Sequence, residues 1–289
     1  WFIGFFWADT PINLLELGGD VIQGSNEDYL DLIEFITNNS LDSAENFNFI
    51  SNEIDIENLI AYQVAQIYFD NRDWPMANIK FWNSPDTKWR WILYDTDFGL
   101  GHLGDFDYSI DTLSRALGDR VGPLFWDLAP EWSTLLLRRL MGNLEFRNGF
   151  INHFADQLNT RFRAGRAIQH LDSIAGPMNL EMLNHFDRWS EGYEENLANI
   201  GPVLPWNNRV SVIKAFLENR PISITEAIQT RFQLTGTYEL EVKLSDPDAG
   251  YVVVNSLQLS NEEWRGVYFN EIPISLRAVA NEGYRFSHW

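Results

Sequence analysis

Two short apolar runs, Ile79–Trp82 and Lys88–Tyr94, flank the turn-forming cluster Asn83-Ser84-Pro85-Asp86. The second run alternates, with Trp89, Trp91 and Leu93 on one face and Arg90, Ile92 and Tyr94 on the other. That period of two is the mark of a half-buried strand, so the pair predicts a β-hairpin. Upstream the spacing changes to three and four. Glu27–Asn38 places Tyr29, Leu32, Ile33 and Ile36 on one face and predicts a helix capped by Ser25. Asp55–Phe69 is apolar on most sides through Leu59, Ile60, Tyr62, Val64, Ile67 and Tyr68. It predicts a buried helix that delivers the chain into the loop before the hairpin. The opening WFIGFFWA is too short for a membrane span and lacks the positive flank of a signal peptide, so a buried strand or a poorly ordered end is expected there.

Beyond the hairpin the pattern is helical. Helices are expected over Glu131–Met141, Asn143–Ala164 and Asp172–Asn199, the last around Pro177. Pro202 and Pro205 bracket a break, Val210–Leu217 resumes, and Ser223-Ile-Thr-Glu226 reads as a capping box opening a last helix to Phe232. At Gly236 the period becomes two again. Thr237–Leu244, Tyr251–Leu259 and Ile274–Ala280 read as strands separated by turn residues.

 

The chain therefore divides into a helical region with one hairpin, residues 1–235, and an all-β module, residues 236–289, giving an α+β fold class.

The chemistry lies in the loops at the two ends of the hairpin. Asp73 and, five residues on, Asn78 precede it, and Asp95-Thr96-Asp97-Phe98-Gly99 follows it. A hairpin brings both loops to one edge. This is the layout of the protein-kinase catalytic hairpin. There an Asp accepts the substrate hydroxyl proton, an Asn five residues later holds a metal ion, and the Asp of D-F-G holds another. Mg²⁺ takes oxygen ligands, usually one or two carboxylates plus phosphate oxygens. Each element taken singly also reads as an ordinary turn, so the weight rests on their order around one hairpin. The literal D-F-G favours Asp97 as the metal ligand, whereas its place at the strand end favours Asp95. Gly99-Leu-Gly101-His-Leu-Gly104 fits G-x-G-x-x-G, but Asp105–Ser109 does not read as the helix that a dinucleotide site requires. His102, His153, His170, His185 and His288 have no metal-ligand spacing, and no G-x-S-x-G is present. The many Trp and Tyr residues read as core, with a sugar-stacking surface as the alternative.

Charge narrows the partners. The 289 residues carry a net charge of −20, which leaves no basic footprint for nucleic acid and no attraction to an anionic membrane. An acidic surface suits cation binding. With no cysteine, disulfides and thiolate metal sites are excluded. From Trp1 to Asn71 there is no Lys, Arg or His, and the first Lys is Lys80. A kinase normally brings a Lys, paired with a Glu, from its upstream lobe to the nucleotide phosphates. An upstream region missing from this chain, which begins with Trp, is the expected reason.

The runs DNRDWPMANIKFW and KWRWILYDTDFGLG resemble the CotH kinase family, named for spore coat protein H, over about Val21 to Leu234. The segments Asn143–Phe162 and Asn219–Leu234 are also similar to that family. The resemblance implies an atypical protein-kinase-like fold, chiefly the helical large lobe with its catalytic hairpin. It implies ATP and Mg²⁺ or Mn²⁺ as cofactors, and transfer of the γ-phosphoryl group to Ser or Thr of a coat or surface protein. Asp73 is then the catalytic base, Asn78 and Asp97 contact the metal–nucleotide, and Asn78, Asp95 and Asp97 are metal ligands. The closing Asn281–Trp289 resembles the end of a divergent internalin-type B-repeat, which implies an extracellular or cell-surface setting in bacteria. Two other readings stand beside this one. The first is a surface adhesion or structural protein with little catalysis. The second is a metal-dependent glycosyltransferase using the D-x-D of Asp95 and Asp97.

Overall fold

The computed structural model describes residues 11–101, 108–197 and 206–289. The apolar opening Trp1–Ala8, the second half of the Gly99–Gly104 run with the Asp105–Asp107 stretch after it, and the Pro202–Pro205 break lie outside the described residues. The chain forms two compact units, Trp1–Arg147 and Asn148–Trp289.

The first unit is built on an antiparallel sheet of order β2-β1-β3-β4. Its strands are β1 (Asn13–Glu16), β2 (Asp20–Gln23), β3 (Lys80–Ser84) and β4 (Thr87–Ile92). The expected hairpin is β3–β4, with Lys80 opposite Ile92, Phe81 opposite Trp91 and Trp82 opposite Arg90. The alternation holds within the strand, where Trp89 and Trp91 are buried and Lys88 and Arg90 exposed, but Leu93, expected on the buried face, lies past the strand end and is exposed. Phe81 stacks on Trp91 at 5.4 Å between ring centroids and meets Trp89 edge-on at 5.6 Å. Tyr29 closes on the same Phe81 ring at 4.5 Å. Such aromatic pairs add to area burial and fix orientation. Tyr29 comes from α1 (Glu27–Asn38), which also buries Leu32 and Ile36. The bounds of α1 match the sequence reading. Its N-cap is Asn26 rather than Ser25, although the Ser25 hydroxyl still accepts the Glu27 N–H at 3.2 Å.

Helix α2 (Ala44–Glu53) and strands β1 and β2 carry little apolar pattern of their own. The buried helix α3 (Ile56–Phe69) begins at Asp55, whose side chain accepts the Asn58 N–H at 3.0 Å. Asn58 also pins α3 to the sheet. Its amide accepts the Trp91 N–H at 2.6 Å and donates to the Trp91 carbonyl at 3.2 Å, as a neighbouring strand would. The Asp55 N–H donates to the Trp89 carbonyl at 3.0 Å. The start of α3 is thereby fixed to β4 of the hairpin.

A short helix α4 (Thr112–Ala116), a 3₁₀ turn at Phe125–Asp127 and helix α5 (Glu131–Leu140) follow. Arg139 on α5 donates to the carbonyls of Ile36, Thr37 and Asn39 at 2.9, 2.9 and 3.0 Å. It satisfies the last carbonyls of α1, besides complementing the dipole of its own helix.

Helix α6 (Leu144–Asn159) starts in the first unit and runs into the second, which continues with α7 (Ala164–Leu197) and α8 (Trp206–Phe232). The capping box expected at Ser223 is not a helix start: α8 runs unbroken through Pro221. Proline in a helix interior costs about 3 kcal/mol. Burial of Phe216, Leu217, Ile224 and Ile228 on both sides of it offsets that cost. The β region is two sheets, β5–β8 and β7-β6-β9. They comprise β5 (Thr237–Lys243), β6 (Gly250–Val254), β7 (Leu257–Leu259), β8 (Glu263–Phe269) and β9 (Leu276–Ala280). The stretch read as one strand, from Tyr251 to Leu259, is a hairpin that turns at Asn255 (φ 48°), and β8 was not anticipated. Asp156 of α6 ties this region to the helices. It accepts from the Ser256 N–H (3.0 Å), the Ser256 hydroxyl (2.5 Å), the Tyr268 hydroxyl (2.9 Å) and the Asn255 amide (3.4 Å). An open cleft of about 650 Å³ lies between β5 and the β6–β9 pair, with Phe286 and Trp289 on its wall.

Candidate active site

The site grows from the end of α3. Asp70 closes that helix in the left-handed conformation (φ 50°), and the chain turns out of it through Asn71 and Arg72. Asn71 is buried, and its amide donates to Gln66 Oε1 at 2.9 Å and to the Asp95 carbonyl at 3.2 Å. The loop before the hairpin is thus tied to the loop after it. A turn follows in which the N–H groups of Met76 and Ala77 both donate to the Asp73 carbonyl, at 3.0 and 2.8 Å. Asn78 then adopts φ 56°, a conformation that asparagine tolerates better than most residues. This folds its side chain back onto the turn. The Asn78 Nδ2 donates to Asp73 Oδ2 at 3.2 Å and to the Asp95 carbonyl at 3.4 Å.

On the far side of the hairpin, Asp95 is also left-handed (φ 51°). Its side chain shares a hydrogen bond with Asp97. That bond pushes the Asp95 carboxyl above its ordinary pKa, and the charges of Asp97 and Asp73 push the same way, while Lys80 opposes them. The D-F-G segment is laced to the end of α3. The Arg72 N–H donates to the Phe98 carbonyl at 3.0 Å, and the Leu100 N–H donates to the Phe69 carbonyl at 2.7 Å. Gly99 makes this approach possible: a Cβ there would sit 2.9 Å from the Phe69 carbonyl oxygen.

All four residues singled out from the sequence therefore belong to one neighbourhood. Asn78 touches Asp73 and the Asp95 backbone, Asp97 joins through Asp95, and both Asp95 and Asp97 are solvent-exposed. Among the described residues no group of three or more His, Cys, Asp or Glu side chains could hold a metal by itself. The donor set still fits Mg²⁺ or Mn²⁺ held jointly with a nucleotide, since Mg²⁺ needs only one or two carboxylates besides phosphate oxygens. Two carboxylates crowded enough to raise a pKa are a pair that a divalent cation would relieve.

Several residues of this neighbourhood escaped the sequence reading. Lys80 on β3 is the nearby cation, with its ammonium 4.9 Å from the Tyr94 ring centre. Its position as the first Lys of the chain was the only signal. Arg115 donates to the carbonyls of Asn71 and Trp74, and Arg72 pairs with Asp127 at 2.8 Å. Nothing local in the sequence marks these contacts.

A hairpin carrying an Asp–Asn loop on one side and D-F-G on the other, backed by a helical frame, is the layout found in protein-kinase-like phosphotransferases. The family model described as CotH kinase protein matches residues 17–224, and the chain belongs to that family. It has the corresponding α+β, kinase-like fold, and the family points to an atypical protein kinase that uses ATP, a divalent metal and a protein substrate. No curated protein and no solved structure matches the chain.

Proposed function

We propose that this chain transfers the γ-phosphoryl group of ATP to a Ser or Thr hydroxyl of a coat or surface protein, with Asp73 as the base. The substrate oxygen forms a bond to the γ-phosphorus, the bond from that phosphorus to the β–γ bridging oxygen breaks, and ADP departs. The hydroxyl proton passes to Asp73. The observation that carries this reading is the Asn78–Asp73 hydrogen bond at 3.2 Å, within a group that also holds the Asp95 backbone. Asn78 fixes one carboxylate oxygen of Asp73 and leaves the other to accept the proton. Asp95, Asp97 and Asn78 would hold Mg²⁺ or Mn²⁺, which supplies charge neutralisation between the phosphates. Phosphoryl transfer gains chiefly from positioning and electrostatics, so few side chains need act directly. Lys80, whose charge acts on Asp95, would meet a phosphate from this side of the site.

An extracellular or cell-surface setting in bacteria agrees with this reading. It rests on the likeness of Asn281–Trp289 to a B-repeat. Residues 236–289 would form that repeat and residues 1–235 the kinase-like domain. A second reading, surface binding with little catalysis, is favoured by the lack of any Lys, Arg or His before Arg72.

Thermal-shift titration with ATP separates the two. A rise in melting temperature that requires Mg²⁺ or Mn²⁺, and that shrinks in Asp95→Asn and Asp97→Asn, supports the kinase. The larger loss of the two identifies the main metal ligand. No shift with either metal favours surface binding, and a shift with a uridine sugar nucleotide in place of ATP favours a glycosyltransferase.

A further inference from the structure

The loop that carries Asp73 is held from behind by the chain that follows D-F-G. Arg115 on α4 has no exposed surface. Its guanidinium donates to the Asn71 carbonyl at 2.7 Å and the Arg72 carbonyl at 3.4 Å, and it also donates to the Trp74 carbonyl. One turn earlier on the same helix, the Thr112 hydroxyl donates to Asp70 Oδ1 at 2.5 Å. Farther along, Asp127 Oδ1 accepts from Arg72 at 2.8 Å, and Arg72 also reaches Asp70 at 3.4 Å. Asp127 is itself fixed, because its other carboxylate oxygen accepts the Leu124 N–H at 2.8 Å. The side chains of Arg72, Asp70 and Asp127 are 2, 0 and 8% exposed.

Burying a guanidinium is costly unless its donors are used, and a loop without regular structure leaves carbonyls that need partners. Arg115 meets both demands at once. Its planar fork spans neighbouring carbonyls that an ammonium could satisfy only one at a time. The Arg72–Asp127 pair adds a charge-assisted link across 55 residues of chain. In kinases that are switched by modification, the segment after D-F-G becomes ordered when a phosphate arrives to pair with arginine. Here two buried carboxylates already face Arg72, Asp127 at 2.8 Å and Asp70 at 3.4 Å, and Asp127 is the one contributed by the segment after D-F-G.

We infer that Arg115 and Asp127 are positioning residues that hold the Asp73 loop in working geometry, and that Asp127 makes phosphorylation of this segment unnecessary for activity. The inference rests on the reading of Asp73 as the base. Neither residue touches the reacting atoms. They act through the backbone of residues 71–74.

The test combines hydrogen–deuterium exchange on the nucleotide-free protein with steady-state kinetics, for Arg115→Lys and the isosteric Asp127→Asn. Faster exchange confined to residues 70–78 is expected, with kcat lowered about 100-fold and KM for ATP within about twofold of wild type. Asp127→Glu should recover most of the rate, and phosphatase-treated wild type should keep its activity. Unchanged exchange and rate in both variants would overturn the inference. So would a general loss of protection with kcat and KM falling together, or loss of wild-type activity on phosphatase treatment. If wild type transfers no phosphoryl group at all, the kinase reading fails. The exchange result then decides alone: selective exposure of residues 70–78 upholds the clamp, and its absence overturns it.

Discussion

Asn78 does two jobs from one left-handed backbone position: it orients the Asp73 carboxylate and ties the first loop to the Asp95 carbonyl. The variant that isolates its side chain is Asn78→Gly, since glycine takes φ 56° without strain. Its kcat should fall about 10- to 100-fold while the melting temperature stays near wild type. Asn78→Ala should lower stability as well, by about 1 kcal/mol, from the left-handed penalty. Melting curves measured beside initial rates distinguish the two. That Asp73, Asn78, Asp95 and Asp97 share one neighbourhood was legible in the sequence, because it follows from short spacing around one hairpin. Arg115 and Asp127 were not. Their contacts cross 41 and 55 residues, and the acceptors of Arg115 are backbone carbonyls that leave no trace in a sequence.

Among the elements, α1, α3 and the β3–β4 hairpin could be read directly, because α1 and β4 each bury one face with a clear period and α3 is apolar and buried on most sides. The short strands β1 and β2 could not: β2 is exposed along its whole length and owes its place to pairing with β1. Pro221 and Ser223 misled for a different reason. Local capping signals point to a helix start, but burial along α8 outweighs them. Helix α6 carries a testable pH dependence. Burial lowers His153 from 6.5 to about 4, and the Arg161 charge acts in the same direction. Because the folded pKa is the lower one, this stabilisation is present above about pH 6.5 and is lost as pH falls toward 4. Burial raises Asp156, three residues on, and that contribution has the opposite sense: it is lost as pH rises through the shifted value. Urea midpoints measured between pH 7 and pH 4 should therefore fall more steeply for wild type than for His153→Gln. Equal slopes would show that His153 does not carry the effect.

For the whole molecule, the surplus of acid frames the account. A net charge of −20 repels nucleic acid and free nucleotide alike, which makes a cation partner to the phosphates a physical requirement rather than an accessory. Family membership, the hairpin and the laced Asp73–Asn78–Asp95 group all point to phosphoryl transfer at one edge of the first unit. The direct measurement is transfer of labelled γ-phosphate from ATP to protein, with Mg²⁺ or Mn²⁺, comparing wild type with Asp73→Asn. Asparagine keeps the shape of the side chain and removes the proton acceptor. If Asp73 is the base, label appears on Ser or Thr in wild type, requires the metal, and falls by at least about 100-fold in Asp73→Asn. Equal labelling of the two proteins would contradict the central claim.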